Sequence, residues 1–354
     1  MTVLLQAGCA DRFAGYVPVP GAVQHPHPQG VAQLTRDGAV LTQFEASRAL
    51  LPLALGGALV DYRNGLRQGF RDAYAAGFNA VVADPGQPLT AVRAAAEGSH
   101  LLALADEAPA DDPVLVDSRA AWLVPVNTAG DLARLSGAVR TAPGRPVWAL
   151  LRAHADPARN QPMPDPTTAG LLAFGALAAG ASGLVWQGED NYAARNAGML
   201  GIAAAPPLDY GIRTDPDSGR QPYRASPDDI AASRRLWDAV ALLNRRIERL
   251  APMLLRADAV DGYTLAVAED GDGSGLRSLL KPWDGANDPR RLLLVVNAGE
   301  TEVRFRIAFD RPLGSIERWQ EAAEAPPPDA DRARGLIRDR IPARGVRLYR
   351  ITLQ

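Results

Sequence analysis

The chain has 354 residues, with 47% hydrophobic residues, 22% charged residues and a formal net charge of -2. This length and balance are typical of a globular protein of two domains, and they exclude a largely disordered chain. The charge gives no basis for binding nucleic acid or an anionic membrane, and the single cysteine, Cys9, excludes an internal disulfide.

No apolar run approaches the roughly 20 residues that a membrane-spanning helix needs. Residues 5–9 faintly resemble a bacterial lipoprotein signal, but the apolar run before Cys9 is short and no basic residue precedes it. The sequence therefore predicts no membrane span and no clear signal peptide. Localisation stays open, since a polysaccharide substrate would imply a periplasmic or secreted protein.

Residues 1–48 are rich in proline and predict an irregular N-terminal segment. Within it, residues 33–41 predict a hairpin, because Asp37 and Gly38 lie between two strand-like stretches.

A regular alternation of strands and helices follows. Strands are predicted at residues 50–55, 78–84, 100–105, 113–116, 121–126, 146–151 and 183–186. Helices are predicted at residues 62–76, 90–97, 131–141, 168–179 and 227–250, the first ended by Gly77 and the last capped by Ser226. Because a complete (β/α)8 barrel usually needs about 250 residues, the pattern predicts an α/β fold with a shortened or irregular TIM-like barrel.

After Pro252 the pattern changes to short strands separated by Asp, Gly and Pro clusters. Strands are predicted at residues 263–268, 291–297, 302–309, 314–319 and 345–352. This part predicts a small all-β sandwich domain. The predicted domains are the irregular segment at 1–48, a barrel-like catalytic domain at 49–252 and the β-sandwich at 253–354.

Three passages together resemble barrel-type glycoside hydrolases. Residues 104–109 read LADEAP, similar to the D-E-P that ends the fourth barrel strand in those enzymes. Residues 146–150 (PVWAL) and 182–186 (SGLVW) are similar to their later barrel strands. Residues 292–297 (LLLVVN) and 344–349 (RGVRLY) are similar to their C-terminal β-sandwich. The resemblance covers about residues 50–354 as spaced fragments.

The resemblance implies hydrolysis by two carboxyl groups on opposite sides of the glycosidic bond. Glu107, beside Asp106, would be the general acid/base, and Glu189 would be the nucleophile or base. A carboxyl separation of about 5–5.5 Å would indicate retention of configuration, and about 6.5–9.5 Å inversion. The alternative for both acidic pairs is a solvated loop charge or a helix cap.

Candidate substrate-binding residues lie at or near predicted strand ends. They are Trp148, Trp186, Asp84, Asp190, Asn191, Arg152 and His154. A tryptophan ring can stack on the C–H face of a sugar. The alternative for both tryptophans is a place in the core, which is favoured for Trp148.

No cofactor or metal site is predicted. His25 and His27 lack a third ligand, and the acidic residues near Glu107 lack the ligand spacing of a calcium loop. No phosphate-binding loop or dinucleotide motif is present.

The predicted function is a glycosidase that hydrolyses a polysaccharide or oligosaccharide, with a carbohydrate as its partner and an oligomeric state that the sequence leaves open. The main alternative is a non-catalytic carbohydrate-binding or polysaccharide-biosynthesis accessory protein on a degenerate glycosidase barrel. Ala108, which interrupts the D-E-P motif, and the short barrel favour this alternative. A lyase or transferase that uses the same cleft is a third reading.

Overall fold

The first strands of the chain are short and belong to three different sheets. The structure is a computed structural model that describes residues 14–35, 38–58, 68–83, 87–108, 112, 114–188, 199–202, 224–285, 287–319 and 327–354. The strands are β1 (Tyr16–Pro18), β2 (Val23–Gln24), β3 (Gln33–Thr35), β4 (Val40–Leu41) and β5 (Ala49–Leu50). Strand β3 pairs antiparallel with β4 and β5, which confirms the predicted hairpin.

Seven parallel strands form the central sheet. They are β6 (Leu53–Ala58), β7 (Ala80–Ala83), β8 (Leu102–Ala105), β9 (Leu115–Asp117), β10 (Trp122–Val126), β11 (Val147–Arg152) and β12 (Gly183–Gln187). The helices between them are α1 (Gln68–Ala75), α2 (Leu89–Ser99), α3 (Asp131–Thr141) and α4 (Pro166–Ala178). These elements confirm the predicted strand and helix alternation.

The strand order is circular but has one open seam. Successive strands are neighbours, and the last strand, β12, pairs with the first, β6. Within the described residues no ladder joins β9 to β10, which are linked by the 3-10 turn Ser118–Ala120. The sheet is therefore a curled, incomplete barrel, which agrees with the predicted shortened barrel in this coarser form.

A buried cluster fills the inside of the barrel. Trp148 is fully buried there with strand residues such as Leu104 and Val185. Leu34 of β3 and Leu50 of β5 belong to the same cluster. Because β5 leads directly into β6, the small β3–β5 sheet covers the N-terminal end of the barrel.

A long helix, α5 (Pro227–Leu254), packs on the outside of the barrel. Ser226 caps it, since the Ser226 hydroxyl accepts from the Asp229 backbone N–H and the Asp229 carboxylate accepts from the Ser226 N–H. The predicted cap is confirmed. Helix α2 differs from prediction, because it ends on His100 in the left-handed conformation (φ 58°) and not at Gly98.

The described residues of the C-terminal quarter of the chain form eight strands. They are β13 (Tyr263–Ala268), β14 (Leu276–Pro282), β15 (Arg290–Asn297), β16 (Val303–Phe309), β17 (Leu313–Arg318), β18 (Asp329–Asp331), β19 (Leu336–Ile341) and β20 (Val346–Leu353). They form two antiparallel sheets, one in the order β1-β13-β16-β19-β18 and one in the order β17-β20-β15-β14, to which β2 adds in parallel. Side chains from both sheets share one buried cluster, so the two sheets form a sandwich that includes the N-terminal strands β1 and β2.

Strand β15 and helix α4 join the sandwich to the barrel. Leu293 and Val295 of β15 lie in the sandwich core, whereas Leu292 and Leu294 belong to the core around α4. Burial on both faces explains the continuous apolar run of this strand. Helix α4 is apolar around its whole circumference for the same reason.

A buried ion pair fixes the N-terminal segment at this junction. Lys281 Nζ lies 2.7 Å from Asp258 Oδ1, and both side chains are fully buried. The other Asp258 oxygen accepts the backbone N–H of His27, and His27 Nε2 donates to the carbonyl of Gly180. Burial and the charge of Lys281 lower the pKa of His27 to about 4, so the ring is neutral at pH 7.

None of the helices described here combines the length and apolar character that a bilayer crossing requires.

Candidate functional site

The carboxyl ends of the parallel strands meet at one end of the barrel, where active sites of barrel enzymes lie. We call this end the rim and define it by the residues that end or follow the strands. In the described part of the chain they are Asp106, Glu107, Asp117, Ser118, Arg119, Arg152, His154, Asp156, Gln187 and Gly188. Several of the predicted site residues therefore lie at the same end of the fold.

Asp106 and Glu107 directly follow β8 and are exposed. The Ser118 hydroxyl donates to the Asp106 carboxylate and so connects the ends of β8 and β9. Glu107 has a left-handed backbone with φ 60°, which costs a residue with a Cβ about 1–2 kcal/mol. Strained backbone of this kind clusters at functional sites.

The position of the D-E-P-like motif differs from the resemblance. The motif follows β8, the third strand of this barrel, whereas in barrel-type glycoside hydrolases it follows the fourth.

Arg119 supplies positive charge beside the two acidic residues. Its guanidinium makes a bidentate ion pair with Asp117, with Nη2 2.6 Å from Oδ2 and Nε 2.9 Å from Oδ1. This hydrogen bonding lowers the pKa of Asp117 to about 2. The bonds to Asp117 raise the pKa of Arg119, and the charges of Glu107 and Asp106 add to the effect. The β8 and β9 ends therefore carry a fixed cation among carboxylates.

His154 connects the ends of β11 and β12. Its Nδ1 lies 3.0 Å from the carbonyl oxygen of Gln187. Because a carbonyl only accepts, Nδ1 carries the proton and Nε2 carries the lone pair in the neutral ring. Burial lowers the pKa of His154, which favours this neutral form. Arg152 is held nearby, since its Nη1 donates to the carbonyls of His154 and Pro162 at 2.8 and 2.6 Å.

Asp156 is a buried rim carboxylate that sequence reasoning missed. Its side chain is 1% exposed, and the nearest cation, Arg159 Nε, lies 3.4 Å from Oδ2. Neither carboxylate oxygen accepts a hydrogen bond from the part of the chain that the structure describes. The Asp156-Pro157 sequence is typical of a turn, so the sequence alone provided no reason to select Asp156. Only the burial of its carboxylate distinguishes it from an ordinary turn residue.

Neither predicted tryptophan platform offers a ring face to solvent. Trp148 is 0% exposed and lies inside the barrel against Gly183, while Trp186 is 1% exposed. Trp186 points to the outside of the barrel, where its Nε1 donates to Asn244 of α5 at 3.1 Å. Both rings thus take the alternative place in the core, because each strand is buried on both faces.

The remaining predicted site residues lie outside the described residues. They are Glu189, Asp190, Asn191 and Asp84. The separation of the Glu107 and Glu189 carboxyl groups therefore stays undefined. The described residues contain no cluster of three or more His, Cys, Asp or Glu side chains that could hold a metal ion. His27, one of the two histidines of the His25-Pro26-His27 stretch, has its Nε2 in a hydrogen bond to the Gly180 carbonyl.

No protein-family model matches the sequence, and no curated protein matches it. Solved structures match at low similarity. An isomaltulose synthase variant from Erwinia rhapontici in complex with sucrose has a TM-score of 0.35 and 10% identity, over 97% of this chain and 78% of that one. A debranching enzyme from Nostoc punctiforme has a TM-score of 0.28 and 11% identity, over 81% and 60% of the two chains.

A third structure is not a glycosidase. The 3-deoxy-D-arabino-heptulosonate 7-phosphate synthase of Thermotoga maritima, in a truncated form, has a TM-score of 0.26 and 12% identity, over 57% of this chain and 86% of that one. At these identities and TM-scores the likeness to glycoside hydrolase-type structures is a distant resemblance. Nothing about substrate or chemistry follows from it.

Proposed function

We propose that the chain is a glycoside hydrolase that cleaves a polysaccharide or oligosaccharide with two carboxyl groups. The observation that carries the proposal is Glu107: an exposed carboxyl directly after a barrel strand, on a left-handed backbone. Such a backbone costs stability, and a proton donor held at the rim explains its presence.

In this proposal Glu107 protonates the leaving oxygen of the glycosidic bond. Glu189, which follows β12 in the sequence, attacks the sugar or activates water. Asp106, held by Ser118, and Arg119, held by Asp117, place further charged groups beside Glu107.

Arg152 and His154 would bind substrate. The neutral His154 ring would accept a hydrogen bond from a substrate hydroxyl at Nε2, and Arg152 retains guanidinium N–H groups to donate to a hydroxyl or a uronate. Asp190, Asn191 and Asp84 complete the proposed set at the ends of β12 and β7. The tryptophans play no part in it.

The test is reducing-sugar release from a panel of polysaccharides by the wild type, Glu107→Gln and Glu317→Gln. Glu317 is an exposed sandwich residue that pairs with Arg350 at 2.6 Å, so its variant is a matched control. Loss of a positioned proton donor lowers the rate by about 10²–10⁴-fold. We expect that loss for Glu107→Gln and no change for Glu317→Gln. Equal rates for the three proteins would contradict the role of Glu107.

The open seam favours a second candidate, a non-catalytic carbohydrate-binding protein on a degenerate barrel. The seam lies between β9 and β10, next to the Asp106–Ser118 bond. A barrel that has lost strand pairing there can keep its fold and lose its chemistry. Retardation by a polysaccharide in an affinity gel, without sugar release from any substrate, would establish this function in place of hydrolysis.

A further inference from the structure

An open cavity of about 660 Å³ lies at the end of the barrel opposite the rim. Its walls are the segment 25–30, Thr42, Gln43 and the residues around the end of α3 and the start of β11. We call it the basal cavity. Its volume falls within the roughly 300–1,000 Å³ that small-molecule sites occupy.

The basal cavity is lined by cationic side chains and by no carboxylate among the described residues. Arg140, at the end of α3, and Arg145, just before β11, both line it. Neither arginine makes an ion pair within the described part of the chain. Other barrel arginines do, since Arg134 lies 3.1 Å from Asp131 and Arg119 lies 2.6 Å from Asp117.

Both guanidinium groups are anchored by neutral partners. Arg145 Nη2 donates to the carbonyls of Arg119 and Ala121 at 2.6 and 3.1 Å, and Arg140 Nη1 donates to Ser136 Oγ at 2.9 Å. Each group keeps further N–H donors and its full charge. The C-terminus of α3 carries only about half a negative charge, so the two guanidinium charges outweigh it.

We propose that the basal cavity binds the phosphate group of a small organic phosphate. Two guanidinium groups match the charge of a phosphate dianion, and arginine binds phosphate with paired N–H donors. A single carboxylate carries one negative charge, half that of a phosphate dianion, and so matches the two guanidinium groups less well. Gln29, Thr42 and Gln43 supply donors and acceptors for the hydroxyl groups of the organic part. The cavity is lined by residues other than those of the rim, which it meets only where Arg145 bonds the Arg119 carbonyl, and the proposal does not depend on glycosidase activity.

The test is isothermal titration of the full chain with glucose 6-phosphate and with inorganic phosphate at constant ionic strength. The variants are Arg140→Gln and, as a control on the same helix, Arg134→Gln. Arg140 is exposed and its hydrogen bond to Ser136 lies within α3, so its loss leaves the tertiary structure intact.

We expect saturable binding of both probes to the wild type, the organic phosphate more tightly than inorganic phosphate. Arg140→Gln should weaken both at least about 10-fold through loss of a charge-assisted contact, and Arg134→Gln should not change them. Absence of saturable binding to the wild type, or equal affinity of Arg140→Gln and the wild type, would overturn the proposal.

Discussion

His154 Nδ1 donates to the carbonyl oxygen of Gln187 at 3.0 Å, and the same oxygen accepts the backbone N–H of Ala153 at 2.8 Å. The end of β12 is thereby fixed to the end of β11. The next residue, Gly188, has φ +121°, and a Cβ added to it would lie 2.7 Å from His154 Cβ. This packing determines the position from which the chain continues to Glu189.

We predict that Gly188→Ala destabilises the protein by about 2 kcal/mol or more, because positive φ and a close contact both act against a side chain. The measurement is the free energy of unfolding from urea denaturation. Gly137→Ala is the control: Gly137 lies within α3, and a Cβ there meets nothing within 4 Å. Since alanine favours a helix over glycine by about 1 kcal/mol, the control should be stabilised. A neutral effect of Gly188→Ala would show that the β12 end adapts freely.

The backbone of Glu107 gives a second prediction, which separates its conformation from its chemistry. Glu107→Gly relieves the left-handed strain of about 1–2 kcal/mol and adds an entropy cost of about 0.5–1 kcal/mol from the unfolded chain. The free energy of unfolding should therefore stay the same or rise by up to about 1.5 kcal/mol, although the proposed hydrolase activity should be lost.

The control for Glu107→Gly is Glu248→Gly inside α5. Glu248 is exposed and helical, so glycine there should cost about 1 kcal/mol. Urea denaturation of both variants measures the contrast. A loss at residue 107 equal to that at residue 248 would mean that the left-handed conformation of Glu107 is not retained in solution.

Local signals made much of the fold predictable. The capping box at Ser226 and the left-handed Gly77 after α1 depend on neighbouring residues alone, so the sequence carries them directly. The barrel strands stand out for a similar reason, since each is a short apolar run between turn residues.

Long-range pairing was not predictable in the same way. Strand β1 pairs with β13, about 250 residues later in the chain, and nothing in residues 16–18 indicates the partner. Strand β14 was missed because Arg277, Ser278 and Lys281 interrupt its apolar pattern, although Lys281 is buried by its ion pair with Asp258. The domain boundaries at 49 and 253 stay a prediction.

For the candidate site, the sequence could predict only which residues lie at the ends of strands. Asp106, Glu107, Arg152 and His154 follow or end strands, and the sequence therefore predicts them at the rim. The face on which Trp148 or Trp186 lies was not readable from the sequence, because β11 and β12 are largely buried on both sides and show no clear alternation. For this reason the sequence left the choice between platform and core open for Trp148 and Trp186.

The lowered pKa of His27 predicts acid sensitivity. With a folded pKa of about 4 and an unfolded value of about 6.5, the unfolded chain binds the proton first as the pH falls. Stability is therefore fully present above about pH 6.5 and is lost towards pH 4, by about 1.4 kcal/mol per pH unit across the window.

Urea denaturation between pH 7 and pH 4.5 checks this prediction. His27→Gln should reduce the loss of stability over this range, and His25→Gln, at an exposed neighbour, is the control variant. Part of the loss should persist in both variants, because the pKa of His154 is also lowered by burial. An identical pH dependence in His27→Gln and the wild type would remove His27 as the cause.

Packing inside the barrel gives the last prediction. A Cβ added at Gly183 would lie 2.8 Å from Trp148 Cδ1 and 2.9 Å from Nε1. The indole fills the interior beside β12 and has no room to move, since it is fully buried. We expect Gly183→Ala to cost about 1–3 kcal/mol from overpacking, and Trp148→Phe to cost energy by leaving a cavity. The double variant should lose less free energy of unfolding than the two single variants lose together, because the smaller ring makes room for the added methyl group. Urea denaturation of the four proteins measures this coupling. Strict additivity would mean that Trp148 does not contact β12 at this position.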